Sequence, residues 1–344
     1  MIFTLLNITD EKLQLLISAV ISFVLTFGGI LGFMKYLPKD HGREFAVNGA
    51  LSKGKARGAG IILIIALIVA CVLCVPLSVE YVIYIIAIFL EMMSGFLDDA
   101  AKVPWGELKK GLIDLIVSIG VSATFYIFNG GDVTLPVLGI SFTIPAVIYI
   151  ILGTVLIWAS INVTNCADGV DGLCASMSIV TLATAFLLIG SVAYAGLSGI
   201  KYGCTEFVIP EKIFVWMSIF MLIAYLWFNC SPSSILMGDA GSRALGLIIA
   251  VAFMLSDMPF MFIPCALMLI IDGGLGLVKL TILRLTKSKT FMKNLRTPIH
   301  DHARKNKGWS DTQVVIRFTL IQMLISAAFV LLAFGFAVPE PMLD

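Results

Sequence analysis

The chain has 344 residues, of which 59% are hydrophobic and only 13% charged, with a formal net charge of +1. Soluble domains carry about 25% charged and about 45–50% apolar residues, so this composition excludes a water-soluble globule. The net charge by itself says nothing about nucleic acid, since lysines and arginines follow loops rather than forming a tract, and no nucleic-acid partner is expected. Hydrocarbon leaves an exposed backbone unsatisfied, so the apolar runs are expected to be helices. Taken in chain order they fall near 13–36, 58–78, 81–97, 111–129, 143–161, 172–195, 212–228, 241–256, 260–285 and 312–336. The expected fold class is all-α: a polytopic integral membrane protein with about ten transmembrane helices. No internal repeat, linker or low-complexity tract divides it, so residues 1–344 read as a single domain. The N-terminus has neither a basic leader nor a small-residue cleavage site, so the first span is expected to remain as an anchor. Cys71 and Cys74 form a C-x-x-C inside IVACVLCVPL and read as two small apolar residues in lipid.

Basic residues set the expected orientation. The 35–57 loop carries Lys35, Lys39, Arg43, Lys53, Lys55 and Arg57. Lys102, Lys109 and Lys110 follow on the same side, and the 286–311 loop adds Lys287, Lys289, Lys293, Arg296, Arg304, Lys305 and Lys307. The opposite face offers little beyond Lys12, Lys201 and Lys212. The basic face is therefore expected to be cytoplasmic, with both termini extracytoplasmic.

With that topology every polar cluster falls on the basic face. FLDDAAK (96–102) ends a span with Asp98 and Asp99, two carboxylates suited to a hard cation or a proton. NVTNCADGVDG (162–172) repeats Asn165, Asp168 and Asp171 at a spacing of three, which on a helix would place them along one side. LMGDAGS (236–242) sets Asp239 beside Gly238 ahead of a helix, where turned N–H groups favour a phosphate and the carboxylate favours Mg²⁺. In TPIHDHARKNKGW (297–309), Thr297 reads as an N-cap, Pro298 as the first helical residue and Gly308 as a stop. Ser310 and Gln313 make a capping box for the last span. The short helix presents His300, Asp301, His302, Arg304 and Lys305; zinc is disfavoured because neither a cysteine nor a third histidine lies at metal spacing. SKGKARGAG (52–60) contributes Lys55 and Arg57, which topology alone would explain, and His41 reads as an ordinary exposed residue. Asp272, before Gly273 and Gly274, interrupts the ninth segment together with Lys279, which suggests a bent or broken helix. Carboxylates, a divalent cation and basic residues are the components of phosphoryl transfer, and a membrane-embedded version calls for a partly lipidic substrate.

In order, D-D-x-x-K, N-x-x-D-G-x-D-G, M-G-D-x-G-S and P-I-H-x-H resemble the polyprenyl-phosphate N-acetylhexosamine-1-phosphate transferase family, over the stretch from Lys55 to Trp309. P-I-H-x-H followed by K-G-W is similar to its phospho-N-acetylmuramoyl-pentapeptide transferase branch. The resemblance implies UDP-N-acetylmuramoyl-pentapeptide as donor, undecaprenyl phosphate as acceptor, and lipid I and UMP as products of peptidoglycan synthesis. It further implies a multi-pass cell-membrane enzyme whose active site faces the cytoplasm, with Mg²⁺ on Asp239 and Asp98 and Asp99 beside the lipid phosphate. Asn165, Asp168 and Asp171 would line the uridine-diphosphate pocket. Lys110, or its neighbour Lys109, and His300 would lie near the phosphates, with Lys55, Gly238 and His302 among the substrate-binding residues. Two departures stand out: K-A-R-G-A-G replaces the usual K-P-T-x-G-G, and Asp301 occupies the middle of what is commonly three histidines. An N-acetylglucosamine-1-phosphate transferase is the nearest alternative and a secondary transporter the distant one. Family members often dimerise, but no interface is readable here.

Overall fold

The computed structural model describes residues 2–40, 42, 52–101, 103, 105–194, 210–287 and 290–334. His41, Arg43, Lys102, Lys201 and Lys289 lie outside them. Among the described residues, seven helices are long and apolar enough to cross a membrane. An eighth forms if the bent pair Pro259–Cys265 and Leu267–Thr286 is one span. Gly60–Cys74 and Leu173–Ile189 are apolar but shorter. Each apolar run of the sequence thus has its helix, although not all ten are long enough by themselves. Gly60–Cys74, at 15 residues, rises about 22 Å against a hydrocarbon core of about 30 Å. It stops because Val75 turns extended (φ −91°, ψ 134°) ahead of Pro76, where the proline ring disfavours helix in the preceding residue.

Among the described residues the fold is all-α apart from one short hairpin. Asp132–Leu135 and Ile140–Thr143 form an antiparallel hairpin, with Asp132 opposite Thr143 and Leu135 opposite Ile140. Its strands combine β-branched and aromatic residues, and the connection contains Pro136 and Gly139, the latter at φ +64°.

Gly238–Leu255 is the central helix, with 94% of its spanning window buried. It packs on Val79–Asp99 and on Ala146–Ala167, where the Ser160 hydroxyl donates to the Gly246 carbonyl at 2.7 Å. A Cβ on Gly95 would collide with the Asp239 backbone. Only glycine lets these helices approach so closely, and the approach brings Asp98 and Asp99 beside Asp239. The ninth segment is broken, as its buried charge suggested: its two parts meet at 67°, with a π-helical turn over Ile270–Gly274.

The short helix after it runs from Ile299 to Lys307. Its N-cap is Pro298 rather than Thr297, because Pro298 itself takes the extended conformation (φ −59°, ψ 165°) before the chain coils. Thr297 instead packs over Gly276. Gly308 ends the helix in the left-handed region (φ 69°), donating to the Ala303 carbonyl. Ser310 and Gln313 cap each other as the box requires, at 3.1 and 3.2 Å.

Candidate active site

Asp98 and Asp99 occupy the last turn of Val79–Asp99, and successive helical residues diverge by about 100°. They therefore serve different neighbours. Asp98 accepts from the Trp105 N–H at 2.5 Å and pairs with Lys110. Asp99, whose side chain is 0% exposed, accepts from Arg57 Nε at 2.8 Å and from the Ala240 N–H at 3.1 Å. The anion at the start of the Gly238–Leu255 helix is thus the protein's own Asp99, where orphan amides and the helix dipole favour negative charge. Gly238 sits at φ +71°, and a Cβ there would strike the Asp99 carboxylate. Asp239, in the first helical turn, meets Lys110 Nζ at 3.0 Å and Arg57 Nη2 at 3.6 Å.

Arg57 is the hub that sequence reasoning undervalued as an ordinary basic flank. Besides Asp99 and Asp239, it donates to Asp40 at 3.1 Å. Burial alone would lower its pKa, but Asp99 first, then Asp239 and Asp40, hold it above the usual arginine value. Asp40 responds in kind. Burial would raise its pKa, yet the Ser52 hydroxyl, Arg57 and the Gly42 N–H bring it below the ordinary carboxylate value. The backbone fixes the loop that carries Arg57: Leu236 N–H donates to Ala56, and the Ala59 and Gly60 N–H groups donate to Leu236 and Met237.

Beside this cluster opens a cleft of about 580 Å³. Arg57 and Gly238 belong to its wall, as do Lys55, Asn165, Asp168, Asp171 and His300. Asn165, Asp168 and Asp171 do not share one helical side. Ala146–Ala167 ends at Asp168, its C-cap; Gly172 (φ 84°) turns the chain, and the next helix starts at Leu173. Asn165 donates to the Ser242 hydroxyl at 3.1 Å. Asp171 accepts from Lys55 at 3.1 Å and from the Ser233 N–H at 3.0 Å, while Lys55 also reaches the Ser233 hydroxyl at 2.9 Å. The three residues still converge on the cleft, through a turn rather than a helix.

His300 is buried, with Nδ1 2.8 Å from Asp272. Asp301 also faces the cleft and pairs with Arg304 at 2.6 Å. His302 is absent from the residues lining this cleft; its Nδ1 accepts from the Arg296 N–H at 3.3 Å.

Could these residues hold a divalent cation? Four carboxylates (Asp40, Asp98, Asp99 and Asp239) share two cations, Arg57 and Lys110. Of the three beside the helix start, Asp239 is the most open, at 14% against 5% for Asp98 and 0% for Asp99. Surplus negative charge and hard oxygen donors fit Mg²⁺ taken together with phosphate oxygens. Among the described residues no group of three or more His, Cys, Asp or Glu is set to cage a metal by itself. The donor set therefore suits a cation that arrives with a phosphorylated ligand.

A family model described as glycosyl transferase family 4 matches residues 81–257. A phospho-N-acetylmuramoyl-pentapeptide-transferase of Treponema pallidum (strain Nichols) is 33% identical over 313 residues, covering 88% of this chain and 85% of the relative. Proteins of the same name from Wolinella succinogenes and Clostridium acetobutylicum are 29% and 27% identical over 297 and 295 residues. These matches cover 82% and 84% of this chain, and 82% and 85% of the relatives.

Proposed function

The chain belongs to glycosyl transferase family 4, among its phospho-N-acetylmuramoyl-pentapeptide-transferases, and from that premise we propose its reaction. It transfers phospho-N-acetylmuramoyl-pentapeptide from UDP-N-acetylmuramoyl-pentapeptide to undecaprenyl phosphate, releasing UMP and forming lipid I. The observation that carries this reading is the junction at Arg57 and Gly238. There a roomy cleft lined by many polar and charged residues meets the Asp98, Asp99, Asp239, Lys110 cluster.

In the proposed reaction the lipid phosphate oxygen attacks the sugar-linked phosphorus, and the bond to the UMP oxygen breaks. A phosphate monoester is largely dianionic near neutral pH, with a second pKa of about 6, so no base is required to generate the nucleophile. Lys110, steered by Asp98 and Asp239, and Arg57, steered by Asp99, bring positive charge to the phosphates, where electrostatic stabilisation does most of the catalytic work. Asp98 acts through Lys110 on the acceptor phosphate. Asp99 keeps Asp239 and Arg57 in register. Lys55, Asn165, Asp168 and Asp171 take the nucleotide half of the donor, and His300 stands at the phosphates. Asp239 would hold Mg²⁺, which supplies charge neutralisation of the diphosphate when bound.

The membrane arrangement belongs to the same proposal. Ten crossings, with the short helices and the broken pair each counted once, put both termini outside and the cluster on the cytoplasmic face. The basic loops 35–57 and 286–311 support this sidedness. The test is UMP release by purified protein given undecaprenyl phosphate, Mg²⁺ and either UDP-N-acetylmuramoyl-pentapeptide or UDP-N-acetylglucosamine. UMP with the pentapeptide donor alone is expected. UMP with the N-acetylglucosamine donor alone, or with neither, would overturn the reading.

A further inference from the structure

Asp272, which holds the cleft-lining His300, is a carboxylate to which the proposed reaction gives no task. Its side chain is 0% exposed, in the π-helical turn of the broken segment. A buried charge there is costly unless it is firmly partnered. Both of its oxygens go to a single residue: Oδ1 accepts the His300 backbone N–H at 2.7 Å, and Oδ2 lies 2.8 Å from His300 Nδ1. No side chain caps the Ile299–Lys307 helix from its own N-terminus. Asp272 therefore supplies that cap from another element while also holding the ring.

The chemistry of this pair is directional. A carboxylate only accepts, so Nδ1 must donate, and the neutral ring then carries its lone pair on Nε2. Nε2 turns toward Gly169, where an added Cβ would collide with it, and lies 3.7 Å from Asp301. The histidine lines the cleft, so Nε2 is the nitrogen offered to a ligand. The aspartate is itself set by close packing: a Cβ on Gly273 would run into the Val163 carbonyl, two residues before Asn165. The broken helix, the uridine-side turn and the histidine are thus registered against one another.

We propose that Asp272 is a positioning residue for the transferase reaction: it fixes His300 as the Nδ1–H tautomer, with Nε2 presented over Gly169 to the phosphates of the donor. Phosphate oxygens only accept, so Nε2 serves them as a donor once the ring takes a second proton, and the Asp272 carboxylate on Nδ1 balances that charge. The phosphate role rests on the proposed function; the tautomer does not.

The experiment uses the full chain in detergent, labelled with ¹⁵N-histidine. The sequence has three histidines, and His300→Gln identifies the His300 signals. At alkaline pH the wild-type ring is expected to carry its proton on Nδ1. Asp272→Asn offers one acceptor where two are needed, so the proton is expected to move to Nε2. With it, kcat/KM should fall about 10- to 100-fold per folded molecule, the usual effect of losing a residue that orients a histidine. Gly169→Ala presses on the ring from the other side and should lower kcat while Nδ1 stays protonated. Nε2–H in the wild type would overturn the proposal, whether or not Asp272→Asn folds. So would Asp272→Asn turning over within twofold of wild type. Absence of UMP from the wild type with either donor would remove the proposed function and the phosphate role together, leaving the tautomer to be judged by its own signal.

Discussion

Replacing Arg57 with glutamine tests whether the polar end of this molecule is held together by charge. Exposed ion pairs contribute about 0.2–1 kcal/mol, but Asp99 is 0% exposed and Arg57 only 20%. Removing one partner of a buried pair costs about 3–5 kcal/mol, because the other charge is left uncompensated. Asp99 keeps its bond from the Ala240 N–H, and Arg57 is partly wet, so the lower end of that range, about 3 kcal/mol, is the expectation. Asp99→Asn alone should also destabilise, since it leaves Arg57 with one fewer neutralising neighbour. The two changes together should cost less than their sum by at least about 1 kcal/mol, because neither charge is then stranded. Coupling stays incomplete, as Arg57 also serves Asp40 and Asp239. Graded SDS unfolding in mixed micelles, run on all four proteins of the cycle, gives the free energies. Effects that add to within about 0.5 kcal/mol would show that Arg57 and Asp99 are neighbours without being coupled, and the argument for a charge-built site would fail.

Three further outcomes follow from the same geometry. Asp239→Asn removes the most open carboxylate of the cluster while keeping its shape. UMP release should fall about 10²- to 10³-fold, the scale of losing a principal electrostatic group, with the melting temperature little changed. Lys55→Ala frees Asp171 and the Ser233 hydroxyl on the cleft side. Donor KM should rise about tenfold, as for losing a charge-assisted hydrogen bond of about 1.5 kcal/mol, with kcat nearly unchanged; an equal fall in kcat would place Lys55 at the reacting phosphates instead. Asp40 has a folded pKa lowered below its ordinary value, mainly through Ser52 and Arg57 acting against burial. Its contribution to stability is therefore fully present above the unfolded pKa of about 3.9 and is lost as pH falls through the lower folded value. Asp40→Asn should cost the same at pH 6 and pH 8, and the difference from wild type should shrink only in strong acid; a difference already shrinking between pH 7 and pH 5 would contradict this.

Hydropathy made the helices legible because each is a long run with few charges, and the charges that remain gather in loops. The same averaging hid the hairpin at Asp132–Leu135 and Ile140–Thr143, whose strands are only four residues each. Asp98, Asp99 and Asp239 were visible as candidates because a carboxylate at the edge of hydrocarbon is conspicuous. Their pairing with Arg57 was not, since a basic residue ahead of a span is expected from topology whatever it touches. The three-residue spacing of Asn165, Asp168 and Asp171 suggested a helical side, but Gly169 and Gly172 in the same string were the signal for a turn. Spacing names the neighbours only when the backbone stays regular. Asp272 was marked as costly, and its partner lay in a segment about thirty residues away that no local pattern could connect.

Charges inside the apolar segments also decide between an enzyme and a transporter. Glu91, Asp272 and Lys279 are charges inside apolar segments of the kind an ion relay would use. Each is instead tied to the scaffold of the polar site. Glu91 pairs with Arg243 at 3.3 Å, one turn beyond Asp239 on the central helix. Arg243 also binds Asp114 and reaches the Lys110 carbonyl at 3.4 Å. Lys279 donates to the Leu295 carbonyl at 2.6 Å, ahead of the His300 helix, and Asp272 is committed to His300. A relay needs groups that exchange partners along a path. Here the inner charges brace, from below, the backbone that carries Lys110, Asp239 and His300. That is what a site requires if its catalysis depends on positioning rather than on moving ions.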